Sequence, residues 1–253
     1  MKLFYRNFGD GTPIVIMHGV FGFSDNWVTV GKRLAEQYAV YLIDLRNHGR
    51  SPHSHDLDYS IMAGDLLEFL NDQNLDEAII VGHSMGGKVA MQLANSYPEK
   101  VSKLIVVDIA PRYYEPHYQE IVQGLSSLDL ENMEFRKEAD EHLAKYIDQP
   151  GDRQFLLMNL YRKKDKSFGL RINLQAINDN SENIGAALEM EQVEVPSLFI
   201  RGGNSNYITF QDEQEIKHKF SDVEVVTVEN SGHWVHAEQP RKFLEVLIEF
   251  LDK

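Results

Sequence analysis

The chain alternates between short continuous apolar runs and stretches in which apolar residues recur every three or four positions. PIVIMHG at 13–19, VYLID at 40–44, AIIVGHS at 78–84, KLIVVDIA at 103–110, SLFIRGG at 197–203 and VEVVTV at 223–228 are of the first kind. Runs of this length without polar alternation suit strands buried on both faces, as in a parallel sheet. Between them Val89 and Leu93 fall at helical spacing. Phe243, Leu247, Phe250 and Leu251 form one stripe behind Pro240, a residue suited to open a helix. Strands alternating with helices predict an α/β fold in which a mostly parallel sheet carries helices on both faces.

The rhythm changes between about residues 112 and 190. Met133, Phe135, Ala139, Leu143 and Ile147 recur at helical spacing, Pro150 and Gly151 break the run, and QFLLMNLY starts the next. This predicts a sheet core of residues 1–112 and 190–253 with a helical insertion, 113–189. The insertion leaves from the end of one strand and returns just before the next. It should therefore overhang the carboxyl edge of the sheet, where open α/β sheets bind ligands.

Composition narrows the picture. A chain of 253 residues can bury a large core. It has no cysteine, which removes thiol nucleophiles, thiolate metal sites and disulfides, and points to a reducing compartment. MKLFYRNFGDGTP lacks the apolar stretch of a secretion signal, and nowhere do eighteen apolar residues run together. The expectation is a cytoplasmic protein. With 25 basic against 39 acidic side chains, the net charge of −14 repels phosphate backbones and anionic lipids, so neither nucleic acid nor membrane is an expected partner. Arg162, Lys163, Lys164, Lys166 and Arg171 make one basic run in this acidic chain, of the kind that usually forms a solvated face.

The candidate chemistry sits at strand ends. VGHSMGGK at 81–88 holds G-x-S-x-G from Gly82 to Gly86, between a predicted strand and a predicted helix. A tight turn there strains the backbone of Ser84 and pushes its hydroxyl clear of the sheet, while the positions two before and two after come too close for a side chain. The helix that follows brings its positive end and free N–H groups to the reacting oxygen, and Met85 N–H is the first oxyanion donor. The loop HGVFG at 18–22 supplies the second, assigned to the backbone of Val20 with Phe21 the close alternative. His18, at the strand end beneath that loop, reads as a structural hydrogen-bonding residue.

NSGHWVHAEQP places His233 after the last predicted strand, where a serine, acid, histidine chain order puts the general base. His236 completes H-x-x-H, but two histidines without further ligands do not make a metal site, and neither metal nor cofactor is expected. His48, His53 and His55 read as surface or turn histidines, and Asp44, Arg46 and Asn47 as structural or pocket-lining. The acid is less obvious. The turn from Gly202 to Gln211 has no carboxylate, and Asp212 and Glu213 fall inside the next predicted helix. Asp108, at the end of KLIVVD, leaves the sheet at the same edge one strand nearer the nucleophile, and can reach the same imidazole from another side.

Together, HG at 18–19, DLRNHGRS at 44–51, GHSMGGK at 82–88, VVDIAP at 106–111, GGNS at 202–205 and GHWVHAE at 232–238 resemble the α/β-hydrolase superfamily, and within it the YbfF-type esterases and their mitochondrial relatives. The resemblance implies an α/β-hydrolase fold with a helical cap inserted after strand 6 and a catalytic aspartate at the place of Asp108. It implies a serine esterase that cleaves short- to medium-chain acyl esters, with acyl-thioesters as a further class. If acyl-CoA is a substrate, Lys163 and Lys164 are candidates to meet its phosphates, and Phe21 to line the acyl pocket. The same fold and triad also serve C–C bond hydrolysis and perhydrolase chemistry. A binding protein on this fold usually lacks a triad member, whereas all three candidates are present here.

Overall fold

A computed structural model describes residues 1–253. Its strands are β1 (Tyr5–Phe8), β2 (Thr12–Met17), β3 (Tyr38–Ile43), β4 (Ala78–His83), β5 (Val101–Val107), β6 (Leu160–Arg162), β7 (Phe168–Leu170), β8 (Ser197–Gly202) and β9 (Val223–Val228). Seven of them form one sheet in the order β1-β3-β2-β4-β5-β8-β9. All neighbours in it are parallel except β1, which pairs antiparallel with β3. The sequence pattern does not show β1, because it is a four-residue edge strand that is only partly buried.

The core helices are α1 (Val28–Leu34), α2 (Tyr59–Asp72) and α3 (Met85–Ser96). Alternate residues of each central strand feed two different cores, which is why the runs are apolar throughout. Ile14 and Ile16 pack with Val30 and Leu34 of α1 and with Phe243 and Leu247 near the carboxyl terminus, whereas Val15 and Met17 face the side covered by α2 and α3.

Between β5 and β8 lie α4 (Gln119–Ser126), α5 (Arg136–Leu143), α6 (Pro150–Leu157), the β6–β7 hairpin, α7 (Leu174–Asp179) and α8 (Ser181–Gly185). In chain order this insertion follows the fifth strand, one fewer than the expected six, since the sheet has seven strands in all. It is not wholly helical either. The last two residues of QFLLMNLY enter β6, and the basic run folds into the antiparallel hairpin. Of the expected stripe, Ala139 and Leu143 are fully buried while Phe135, just before α5, is 66% exposed. Pro150 opens α6 rather than merely ending what precedes it, its fixed φ suiting the first turn. The remaining helices are α9 (Phe210–Lys219), α10 (Val235–Glu238) and α11 (Pro240–Leu251). No helix is long and apolar enough to cross a membrane.

Lys88 ties the insertion to α3. Its buried ammonium donates to the carbonyls of Arg112 (2.8 Å), Gly185 (3.2 Å) and Ala186 (2.5 Å), so both ends of the insertion are held from one side chain. Burial, with Arg112 nearby, lowers its pKa to about 7.

Candidate active site

The carboxyl ends of β2, β4, β5 and β8 converge beneath the insertion. Ser84, between β4 and α3, has φ 52° and ψ −119°, a conformation rarely adopted outside glycine. Only a turn this sharp brings Gly82 and Gly86 so close: a Cβ on Gly82 would lie 2.1 Å from the Gly86 carbonyl oxygen, and one on Gly86 2.5 Å from that of His18. The motif's glycines are thus required by backbone contact, and they hold the Ser84 hydroxyl against a cavity of about 280 Å³.

Asp108 follows β5, is fully buried and also has a left-handed backbone, φ 52°. Its Oδ1 accepts the Gly202 N–H at 2.9 Å, and its Oδ2 accepts both the Ser205 hydroxyl and His233 Nδ1, the latter at 2.8 Å. The imidazole also stacks on Tyr207, ring centres 3.8 Å apart at 19°. With Nδ1–H committed to a carboxylate, the lone pair of neutral His233 resides on Nε2. Neither that nitrogen nor Ser84 Oγ bonds another protein group, and both residues line the cavity. Asp212 is engaged elsewhere. It caps α9 through Thr209 N–H (2.8 Å) and Oγ1 (2.7 Å), and pairs with Arg112 at 2.8 Å.

The loop after β2 gives its two candidate donors different surroundings. The Gly19 carbonyl accepts the Gly22 N–H (3.0 Å) and faces His18 Nδ1 (2.8 Å). Because a trans peptide is planar, the Val20 N–H on the same plane points the opposite way, and it has no partner in the protein. The Phe21 N–H is already given to His48 Nε2, at 3.3 Å. Met85 opens α3, so its N–H has no intrahelical acceptor.

His48 is therefore no surface histidine: it is fully buried, with Nδ1 2.8 Å from the Arg46 carbonyl. What the periodicity did not signal is that DLRNHGRS is a hydrogen-bonded hub. Asp44 accepts the N–H groups of Ser24 (2.6 Å) and Arg50 (2.8 Å), and Arg46 pairs bidentately with Asp65 at 2.6 and 2.9 Å. Lys163 and Lys164 lie exposed at the β6–β7 turn and do not line the cavity. The turn directs them outward, while Arg162 covers Phe168 at 4.0 Å. Phe21 does line it, with Tyr118, Ile121, Ile147, Phe155 and Leu156 from the insertion forming an apolar wall.

Burial keeps several histidines neutral. It lowers the pKa of His18 to about 4 and those of His48 and His236 to about 3, the latter two with a smaller push from a neighbouring imidazole, His18 and His233 respectively. Below about pH 6.5 the unfolded chain binds these protons and the native state does not, so stability falls with pH until each folded pKa is reached. Each such group contributes a slope of about 1.4 kcal/mol per pH unit. Urea midpoints should therefore drop steeply from pH 6.5 to 4.5. His236 stacks on Trp27 at 3.9 Å with an unpartnered Nδ1, so His236→Phe should remove one proton from that slope with little effect at pH 7.

A family model described as alpha/beta hydrolase fold matches residues 12–240. Over 252 residues the chain is 37% identical to sn-1-specific diacylglycerol lipase ABHD11 of Danio rerio, covering 96% of this chain and 79% of that protein. It is 31% identical over 248 residues to Esterase YbfF of Escherichia coli, covering 98% and 96%. A solved structure titled Marine microorganism esterase superposes with a TM-score of 0.95 at 43% identity, covering 98% of this chain and 99% of that one.

Proposed function

The chain belongs to the α/β-hydrolase family, and from that premise we propose that it is a serine carboxylester hydrolase with Ser84, His233 and Asp108 as its triad and residues 113–189 as its cap. One observation carries the reading: a carboxylate fixes the Nδ1 proton of an imidazole whose other nitrogen shares a cavity with a serine on a strained turn.

The steps follow from that arrangement. His233 Nε2 takes the Ser84 proton as Oγ attacks the acyl carbon, and the oxyanion that forms is met by the N–H groups of Val20 and Met85. Collapse expels the alcohol, which leaves with the proton held by His233, and an acyl-enzyme remains. A water gives its proton to the same nitrogen and attacks the acyl carbon, and His233 returns that proton to Ser84 Oγ as the C–Oγ bond breaks and the acid leaves. Asp108 holds the tautomer throughout and stabilises the imidazolium. The apolar wall suits a short to medium acyl chain, since each methylene withdrawn from water contributes about 0.8 kcal/mol until the cavity of about 280 Å³ is filled.

Purified protein assayed on p-nitrophenyl esters of graded length should show kcat/KM rising with chain length and then falling. Absence of turnover on every ester, with no labelling by a fluorophosphonate, would sink the reading. Acyl-thioesters fit the same machinery, and the position of Lys163 and Lys164 outside the cavity argues against a part for them in binding. Lys163→Gln and Lys164→Gln together should leave KM for an acyl-CoA within twofold of the parent.

A further inference from the structure

The turn that presents Val20 is held from two sides by residues that never face the reacting atoms. Gly22 N–H closes it onto the Gly19 carbonyl, and its third residue, Phe21, has φ 63°. A positive φ at that place alone marks a type II turn, which ordinarily carries glycine there. Phenylalanine in the left-handed region persists only where the surroundings over-determine it. Without such support Phe21 leaves that region, and the turn that carries Val20 relaxes with it.

Both polar groups of Phe21 are anchored. Its N–H is accepted by His48 Nε2 at 3.3 Å, and its carbonyl accepts Asn159 Nδ2 at 2.8 Å. Each anchor is itself oriented. His48 Nδ1 faces the Arg46 carbonyl at 2.8 Å, so that nitrogen donates and Nε2 can only accept. Asn159 spends its amide on the carbonyls of Phe21 and, at 3.2 Å, of Leu156, and its own backbone carbonyl accepts the Arg171 N–H at 2.9 Å. Both side chains are fully buried, and Asn159 Oδ1 has no partner. A buried amide with one atom unsatisfied is costly to keep, and what it holds here is the loop opposite the nucleophile. One anchor comes from DLRNHGRS and the other from the insertion. The two segments are joined by Asn173 N–H to the Asn47 carbonyl (2.9 Å) and Gly49 N–H to that of Arg171 (2.6 Å).

We propose that His48 and Asn159 are positioning residues for the oxyanion hole: they lock the Gly19–Gly22 turn in the form that presents Val20 N–H to the developing oxyanion, and so make the hole depend on a seated insertion. This rests on the ester-hydrolase reading above. Losing one oxyanion donor costs about 10²–10³ in kcat, and misaiming one should cost about ten- to a hundredfold.

The test compares His48→Leu, His48→Gln and Asn159→Ser with the parent on a p-nitrophenyl ester. Each is also titrated with an alkyl boronic acid, whose tetrahedral adduct on Ser84 places an oxygen in the hole. The expected result is a fall in kcat of about ten- to a hundredfold in His48→Leu and Asn159→Ser with KM within threefold, matched by an equal loss of boronate affinity. His48→Gln, whose amide oxygen reaches the place of Nε2, should recover most of the loss. Folded His48→Leu and Asn159→Ser proteins with kcat within twofold of the parent, or with boronate affinity unchanged, would overturn the assignment. So would failure of both Asn159→Ser and His48→Gln to fold, which would make these residues determinants of the fold and not of the turn. A parent protein that cleaves no ester defeats the ester-hydrolase reading instead.

Discussion

Ser84→Ala and His233→Ala should each lower ester turnover by about 10⁴- to 10⁶-fold, because in the proposed mechanism nucleophile and base act as one unit and neither works without the other. The residual rate comes from the oxyanion donors and the bound geometry, which both substitutions leave in place. Stability separates the effect from misfolding. Ser84 holds φ 52° with its hydroxyl bonded to nothing in the protein, so Ser84→Ala keeps the strain and should melt close to the parent. Ser84→Gly relieves it, and should raise stability by about 1 kcal/mol while remaining inactive. A gain on glycine substitution with complete loss of turnover is the signature of a residue strained for chemistry. An equal loss of stability in both variants would instead mark a structural serine.

The sheet and its edge were legible in the sequence because strands buried on both faces write themselves as unbroken apolar runs: β4 and β5 are nearly all buried residues. The sharp turn at Ser84 was legible for a related reason, since backbone contact at Gly82 and Gly86 forbids any other residue there. The hairpin at β6 and β7 was not. Three-residue strands carry too little periodicity to separate from the helical runs beside them, and only the turn at Asp165 to Ser167, where Asp165 accepts from both the N–H and hydroxyl of Ser167, gives it away. His48 was hidden differently. Nothing local in DLRNHGRS tells a buried acceptor from an exposed turn residue, because the group it serves, Phe21 N–H, lies 27 positions earlier. The same holds for Asn159, whose partner Phe21 is 138 positions away. Long-range polar pairing leaves no period in the chain.

Asp108→Asn should lower kcat by about 10⁴-fold with little change in melting temperature, and Asp212→Asn should do the reverse. The first follows from hydrogen-bond directions. Oδ1 of Asp108 accepts Gly202 N–H, a backbone donor that cannot turn, so an asparagine must keep its carbonyl there and place its NH₂ at the Oδ2 site. That site receives the Ser205 hydroxyl and His233 Nδ1. Ser205 can rotate to accept, but His233 can accept only by moving its proton to Nε2, which then offers a donor to Ser84 where a base is required. The side chain keeps its shape and its bonds, so the fold is kept. Asp212, by contrast, caps α9 through Thr209 and holds Arg112, and its loss removes about 1 kcal/mol of capping and part of an ion pair whose carboxylate is buried, without touching His233. Side-by-side kinetics and thermal melts decide it: near-normal turnover in Asp108→Asn with an inactive Asp212→Asn would move the acid to α9, beyond β8, and remove the premise on which the whole proton path rests.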